Sequence, residues 1–154
     1  MFRLSNYEKS NSITTIKFPV SKNAQILLIK TMRHKSEVKR QKFSSELLDE
    51  LGDLAQIDIV NLKVSGTNQS HKKSKGRVVS KQYGYYRPKS SYIYIHNRTA
   101  VRGQILASKT FVDTLLHEWL HHYDFKKLRL NSIHSAGFYA RLKDLKTKLG
   151  YFEH

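Results

Sequence analysis

At residues 117–121 the chain reads His-Glu-Trp-Leu-His, and the stretch around it is patterned as a helix. Phe111, Val112, Leu115, Leu116, Trp119, Leu120 and Tyr123 recur at helical spacing, which predicts an amphipathic helix to about residue 125. Thr110 with Asp113 resembles a capping box at its start. Histidines four apart on a helix project from one face, so His117 and His121 can share one ion. Glu118 follows the first histidine directly and flanks such an ion instead of completing its ligand set. From there it can take a proton from an attacking water and return it to a leaving amine. Chance would place this five-residue pattern in roughly one chain in a few hundred of this length. Its position inside a well-formed helix favours metal chemistry over two surface histidines beside an incidental glutamate.

Zinc accepts imidazole nitrogen and prefers tetrahedral sites, and a catalytic zinc uses three protein ligands and leaves the fourth position to water. The third ligand needs its own argument. In the motif H-E-x-x-H-x-x-G-x-x-H the glycine and last histidine fall at positions held here by Asp124 and Lys127, which excludes that class. Of the acids after His121, Asp124 is too close in sequence, Asp144 lies off the face that carries His134, and Glu153 is in the tail. His134 is left, at the start of the next helical segment, where a tight helix-connection-helix hairpin would return it to the active helix; the alternative is a capping or surface histidine. His122 points about a quarter turn away from the metal face and reads as structural or surface. His96 reads as an ordinary sheet histidine, with an approach to the site as the alternative. His34, His71 and His154 support no reading. Asp124 and Asp113, one turn beyond and one turn before the histidine pair, could orient a ligand, Asp113 alternatively serving as a cap.

The 154 residues suit one domain with a single core. Residues 1–12 are polar and read as a loose end, and residues 1–40 either pack on the core or form a basic N-terminal arm. Ile13 to Val20 reads as a short strand, Ala24 to Met32 as strand or helix, and residues 44–55 as a helix. Residues 57–65 alternate as a strand, residues 66–75 read as a loop, and Arg77 to Tyr86 as a strand. After a turn at residues 87–90, Ser91 to His96 alternates again, with Tyr92, Tyr94 and His96 on one face and Ile93 and Ile95 on the other. The sheet is expected to be small and antiparallel. A second C-terminal helix, capped at Asn131 or Ser132, carries Phe138, Leu142, Leu145 and Leu149 and stops at Gly150. The fold class is therefore α+β.

Charge bears on partners. Lys and Arg total 28 against 12 acidic residues, a net +16 that attracts polyanions. From Ile59 to Val112 there is no acidic residue, while Lys63, Lys72, Lys73, Lys75, Arg77, Lys81, Arg87, Lys89, Arg98, Arg102 and Lys109 interleave with five tyrosines. Cations for phosphate with aromatics for stacking suit single-stranded nucleic acid; half-buried sheet tyrosines beside a solvated basic loop are the alternative. The chain has no cysteine, which excludes disulfides, thiol nucleophiles and cysteine-ligated zinc. The N-terminus has no apolar signal segment and the longest aliphatic run, Ile26 to Ile29, is far too short for a bilayer, so no membrane partner and an intracellular, cytoplasmic location are expected.

The stretch from Gly84 to Leu142 resembles the SprT-like zinc metallopeptidase domain, the group that includes bacterial SprT and the DNA-dependent protease Spartan. A tyrosine-containing hairpin, YGYYRPKSSYIYIH, precedes the active helix; that helix enters as Thr114-Leu115-Leu116-His117-Glu118; and His134-Ser135-Ala136-Gly137-Phe138 is similar to the family's H-G-x-x-F. Ser135 stands where the family usually has glycine, and the family's C-terminal zinc ribbon cannot form without cysteine. The resemblance implies a minimal zincin fold, a three-stranded sheet packed on helices, with Zn2+ on His117, His121 and His134 and Glu118 as general base. It implies hydrolysis of peptide bonds in a protein or peptide substrate, some of it DNA-associated, and a strand near the active helix that accepts extended substrate, for which Tyr92 to His96 is the candidate. Tyr123, Tyr139 and His96 remain open as oxyanion partners. From a different class, the same residues suit a basic nucleic-acid-binding protein with a structural or weakly active zinc site.

Overall fold

Serines start most of the helices. The hydroxyls of Ser5, Ser21, Ser36 and Ser135 each accept the backbone N–H three residues on, at 3.0 to 3.2 Å. They open α1 (Asn6–Ser12), α2 (Lys22–Arg33), α3 (Glu37–Ala55) and α5 (Ala136–Lys148). The exception is α4 (Ser108–Lys126), which begins at Ala107 with no side-chain cap. Thr110 therefore lies inside α4, and the expected capping box with Asp113 does not form. The computed structural model describes residues 3–68, 70–74, 77–100 and 102–152, with the backbone alone at 67, 68, 70–74 and 77–82. Lys75 and Glu153 lie outside the described residues, as do the side chains of His71, Lys72, Lys73, Arg77 and Lys81.

Helix α3 starts seven residues before the stretch that periodicity marked. Its extra turns bury Arg40 in line with Ser44, Leu47, Leu48 and Leu51, so the inward face is polar where the apolar pattern stops. Arg40 donates to Asn97 Oδ1 (2.7 Å) and to the carbonyl of His34 (3.1 Å), and its guanidinium lies over the Phe111 ring. It thereby ties α2, α3, the sheet and α4 together at one end.

The strands are β1 (Asn61–Asn68), β2 (Ser70–Ser74), β3 (Arg77–Gln82), β4 (Gly84–Arg87) and β5 (Tyr92–Arg98). β2 and β3 form their own antiparallel ribbon, so the described residues 66–68 and 70–74 are strand and not the loop that their composition suggests. Backbone pairing holds that ribbon, and polar side chains do not prevent it. The main sheet has the order β1-β5-β4, with β5 antiparallel to β4 but parallel to β1. The sheet is thus mixed and not antiparallel: the ribbon and β4 intervene in sequence, and β5 inserts between β1 and β4. Ile93 and Ile95 are fully buried against the helices, whereas Tyr92, Tyr94 and His96 face the other way, as their alternation predicts.

The centre of the molecule is α4. Phe111, Val112, Leu115, Leu116, Trp119, Leu120 and Tyr123 are all fully buried. Each such side chain contributes on the order of 1.5–3 kcal/mol by leaving water. Residues 13–20 show the strand-like alternation Ile16 in, Lys17 out, Phe18 in, yet they form no strand. Their backbone groups are taken by side chains instead: Ile16 N–H by Asp144 Oδ2 (2.9 Å) and Lys17 N–H by the Tyr123 hydroxyl (2.8 Å). Residues 6–12 are likewise not loose; α1 packs on α5. No helix among the described residues is long and apolar enough to cross a membrane.

Candidate metal centre

One turn of α4 separates His117 from His121, and the chain between α4 and α5 brings a third imidazole to them. After Lys127 the backbone takes a left-handed turn at Arg129 (φ 57°), and buried Leu128 and Leu130 anchor the connection. Residues 131–135 then run without regular structure before α5, so Ser135, not Asn131 or Ser132, caps that helix. This extension carries His134 across to α4. His134 Nε2 lies 3.0 Å from Nε2 of both His117 and His121, which are 3.2 Å apart. Phe138, fully buried, floors the cluster, stacked on His121 at 4.6 Å and edge-on to His117 at 5.0 Å.

The protons say what such a triangle can hold. Ser132 Oγ donates to Asp124 Oδ2 (3.0 Å), so it must accept from His121 Nδ1–H (2.7 Å). The proton on Nδ1 leaves His121 Nε2 as a bare lone pair aimed at the other two rings. Nitrogen lone pairs this close repel unless a cation or proton lies among them. Two ligands at zinc distance in a tetrahedral site are about 3.3–3.4 Å apart, so the spacing is close to what the ion asks for. Three neutral imidazoles are also a suitable donor set for it. Burial lowers the pKa of His117 to about 4 and of His121 to about 3, with the neighbouring rings adding to the effect. Both are therefore in the neutral, ligating form at ordinary pH.

Glu118 follows His117 into the same cleft, a cavity of about 630 Å³ bordered by Gly84, Tyr85 and Tyr86 of β4 and by residues 131–134. Glu118 is 9% exposed, and desolvation raises the pKa of its carboxyl to about 7. No ion pair or hydrogen bond to it occurs among the described residues, which leaves it available to a substrate or water.

The structure separates the other candidates. Asp124 is fully buried and supports His121 through Ser132; behind it Arg141 donates Nε to Oδ1 (3.0 Å) and Nη2 to Oδ2 (2.7 Å). Asp113 does neither job expected of it, since it accepts from the Tyr151 hydroxyl (3.0 Å) and pairs with Lys146 (3.1 Å). His122 is structural: Nε2–H donates to the carbonyl of Asp58 (2.7 Å), so Nδ1 accepts from Tyr86 O–H (2.8 Å), and burial lowers its pKa. Of the three open oxyanion candidates, Tyr123 is buried with its hydroxyl on Lys17 N–H, and His96 packs against Tyr94 on the outer sheet face. Tyr139 is half exposed, and its ring centre is 6.1 Å from that of His134. Tyr92 to His96 cannot accept an added strand, because β5 is the central strand; β4 is the edge beside the cleft. Sequence reasoning missed these roles of Ser132, Phe138, Arg141 and Tyr86; Ser132, two residues before His134, and Phe138, in the motif that His134 opens, carry a local signal, and Arg141 and Tyr86 carry none.

The chain matches no protein-family profile, no characterised protein and no solved structure.

Proposed function

We propose that the chain is a zinc-dependent endopeptidase of the SprT-like kind, with His117, His121 and His134 as metal ligands and Glu118 as general base. The observation that carries this reading is the Nε2 triangle of 3.0, 3.0 and 3.2 Å with Glu118 on the same helix turn, open to one cleft. A zinc ion there supplies Lewis acidity for water and for the scissile carbonyl. Glu118 removes the proton from the attacking water as the C–O bond forms, then gives it to the amine nitrogen as the C–N bond breaks. Its burial suits both directions of transfer, because a carboxyl held near neutral pH is a competent base and acid; a neighbouring cation draws it back down. An extended peptide would pair by backbone hydrogen bonds with the edge strand β4, which borders the same cleft.

Glu118→Gln keeps the shape of the site and removes the base. It is expected to retain zinc and to lose peptide hydrolysis by roughly 10²- to 10⁴-fold. Cleavage of a denatured protein substrate at the wild-type rate by this variant would overturn the mechanism.

A second reading, nucleic-acid binding with a structural or weakly active zinc, has one structural observation in its favour. Tyr85 and Tyr94 stack in parallel at 5.3 Å, Tyr92 lies 6.5 Å from each, and the Arg87 guanidinium sits over Tyr85. The net charge of +16 supports the same partner. The two readings combine in a peptidase held on nucleic acid while it acts on bound proteins. Single-stranded DNA binding that survives Glu118→Gln would support the second reading, and no binding at low salt would remove it.

A further inference from the structure

The segment that carries Ser132 and His134 has no regular structure of its own, so something else must hold it. Helix α1 does. Asn6 reads the backbone of Asn131 twice, accepting its N–H (2.9 Å) and donating to its carbonyl (2.8 Å). Lys9 Nζ donates to the carbonyl of Leu128 (2.6 Å), and the hydroxyls of Ser10 and Ser135 are 2.8 Å apart. Asn11 Oδ1 accepts the N–H of Gly137 (2.8 Å). The approach is so close that a Cβ on Gly137 would lie 2.0 Å from the Ser10 carbonyl oxygen. Along the buried side, Arg141 joins the same helix end to the support of His121. Its Nη1 donates to the carbonyls of Ser10 (2.5 Å) and Ile13 (2.7 Å), while Nε and Nη2 hold Asp124, which holds Ser132.

Two independent routes thus run from α1 to the ligands, one along the backbone to His134 and one through Arg141, Asp124 and Ser132 to His121. Little apolar surface is involved, since Ser10 is the one buried residue of α1. A helix held mainly by hydrogen bonds to a ligand segment opens at modest cost. We infer that docking of α1 and metal binding at the three-histidine site are coupled: the docked helix holds Ser132 and His134 in the ligating arrangement, and the bound ion in turn holds the helix down. Coupling of binding free energies is reciprocal, so each event must strengthen the other by the same factor. The inference rests on the metal-site reading proposed above. It makes residues 6–12 positioning residues of the site although none touches a ligand ring.

The test uses the full chain and three readouts: zinc affinity by chelator competition, the visible spectrum of the cobalt(II)-loaded protein, and hydrogen exchange of residues 6–12 with and without zinc. Gly137→Ala expels α1 without altering a ligand. Asn6→Ala combined with Lys9→Ala removes three hydrogen bonds from α1 to the 128–131 segment and leaves α5 intact, so it covers the case in which Gly137→Ala does not fold. Zinc affinity should fall roughly 10- to 100-fold in Gly137→Ala, the size seen when groups that orient ligands are lost, and by a smaller factor in the double variant. The cobalt spectrum should change in both, and zinc should slow exchange of α1 amides in the wild type. Unchanged affinity and spectrum in the folded double variant, with α1 exchange indifferent to zinc, would overturn the coupling. A wild type that binds no zinc at all would overturn the metal-site reading and the coupling with it.

Discussion

Burial drives Glu118 and the two α4 histidines in opposite directions, and without metal this has a measurable signature. His117 and His121 have their pKa values lowered from 6.5 to about 4 and about 3. Their folded forms refuse protons that the unfolded chain accepts, so their full stability contribution is present above pH 6.5 and is lost as pH falls through the folded values. Glu118 is raised from 4.5 to about 7, so its contribution is full below pH 4.5 and is lost as pH rises through 7. The chelator-treated protein should therefore lose stability on the acid side from pH 6.5 downward. Glu118→Gln should be more stable than wild type at pH 8 and no more stable at pH 4.5. Urea midpoints across that range check both statements, and a pH-independent difference between the two proteins would contradict the second. At Asp124 the stake is packing of charge. Asp124→Asn leaves Arg141 buried without a counter-ion and should cost about 3–5 kcal/mol in urea unfolding.

At the scale of elements, β4 and α4 approach until only glycine fits between strand and neighbours. A Cβ on Gly84 would meet the Tyr94 carbonyl at 2.6 Å and the Thr114 methyl at 3.1 Å. Gly84→Ala should destabilise by about 1–3 kcal/mol through overpacking and should shift the β4 edge of the cleft; an unchanged denaturation midpoint would contradict that close contact. The elements also mark where reading the chain works and where it stops. Helix α4 was legible because its histidine pair and its apolar stripe repeat within one local period. The nearness of His134 to that pair was expected because few other side chains could stand as a third ligand. The extension of α3 was not, because Arg40 takes an inward position that periodicity expects to be apolar. The parallel register of β1 with β5 was hidden because strand order is decided by how the ribbon folds out of the way. Helix α1 was hidden for a similar reason: Asn6, Lys9, Ser10 and Asn11 read as a polar end, and only the tertiary structure shows them bonded to the segment before α5 and to its first turn. The Ser132, Asp124 and Arg141 chain joins three separate segments, so no spacing in the sequence announces it.

At the scale of the whole molecule, charge acts without regard to how the chain is folded, and the site does not. A net +16 attracts polyanions wherever the cations sit. If single-stranded DNA is a partner, log affinity should fall linearly with log salt, with a slope of about −0.7 per phosphate neutralised. Fluorescence anisotropy between low and physiological salt measures that slope, and binding insensitive to salt would contradict an electrostatic partner. The proposed site depends instead on four chain segments meeting: α4 for His117, Glu118 and His121, the 131–135 extension for His134, and α1 and α5 to brace them. The claim on which everything functional rests is the three-histidine metal site, and elemental analysis of purified wild type and His134→Ala tests it most directly. The prediction is near one zinc per wild-type chain, lost or sharply weakened in the variant. Wild type that holds no zinc even after reconstitution would contradict it and leave a basic nucleic-acid-binding protein as the better account.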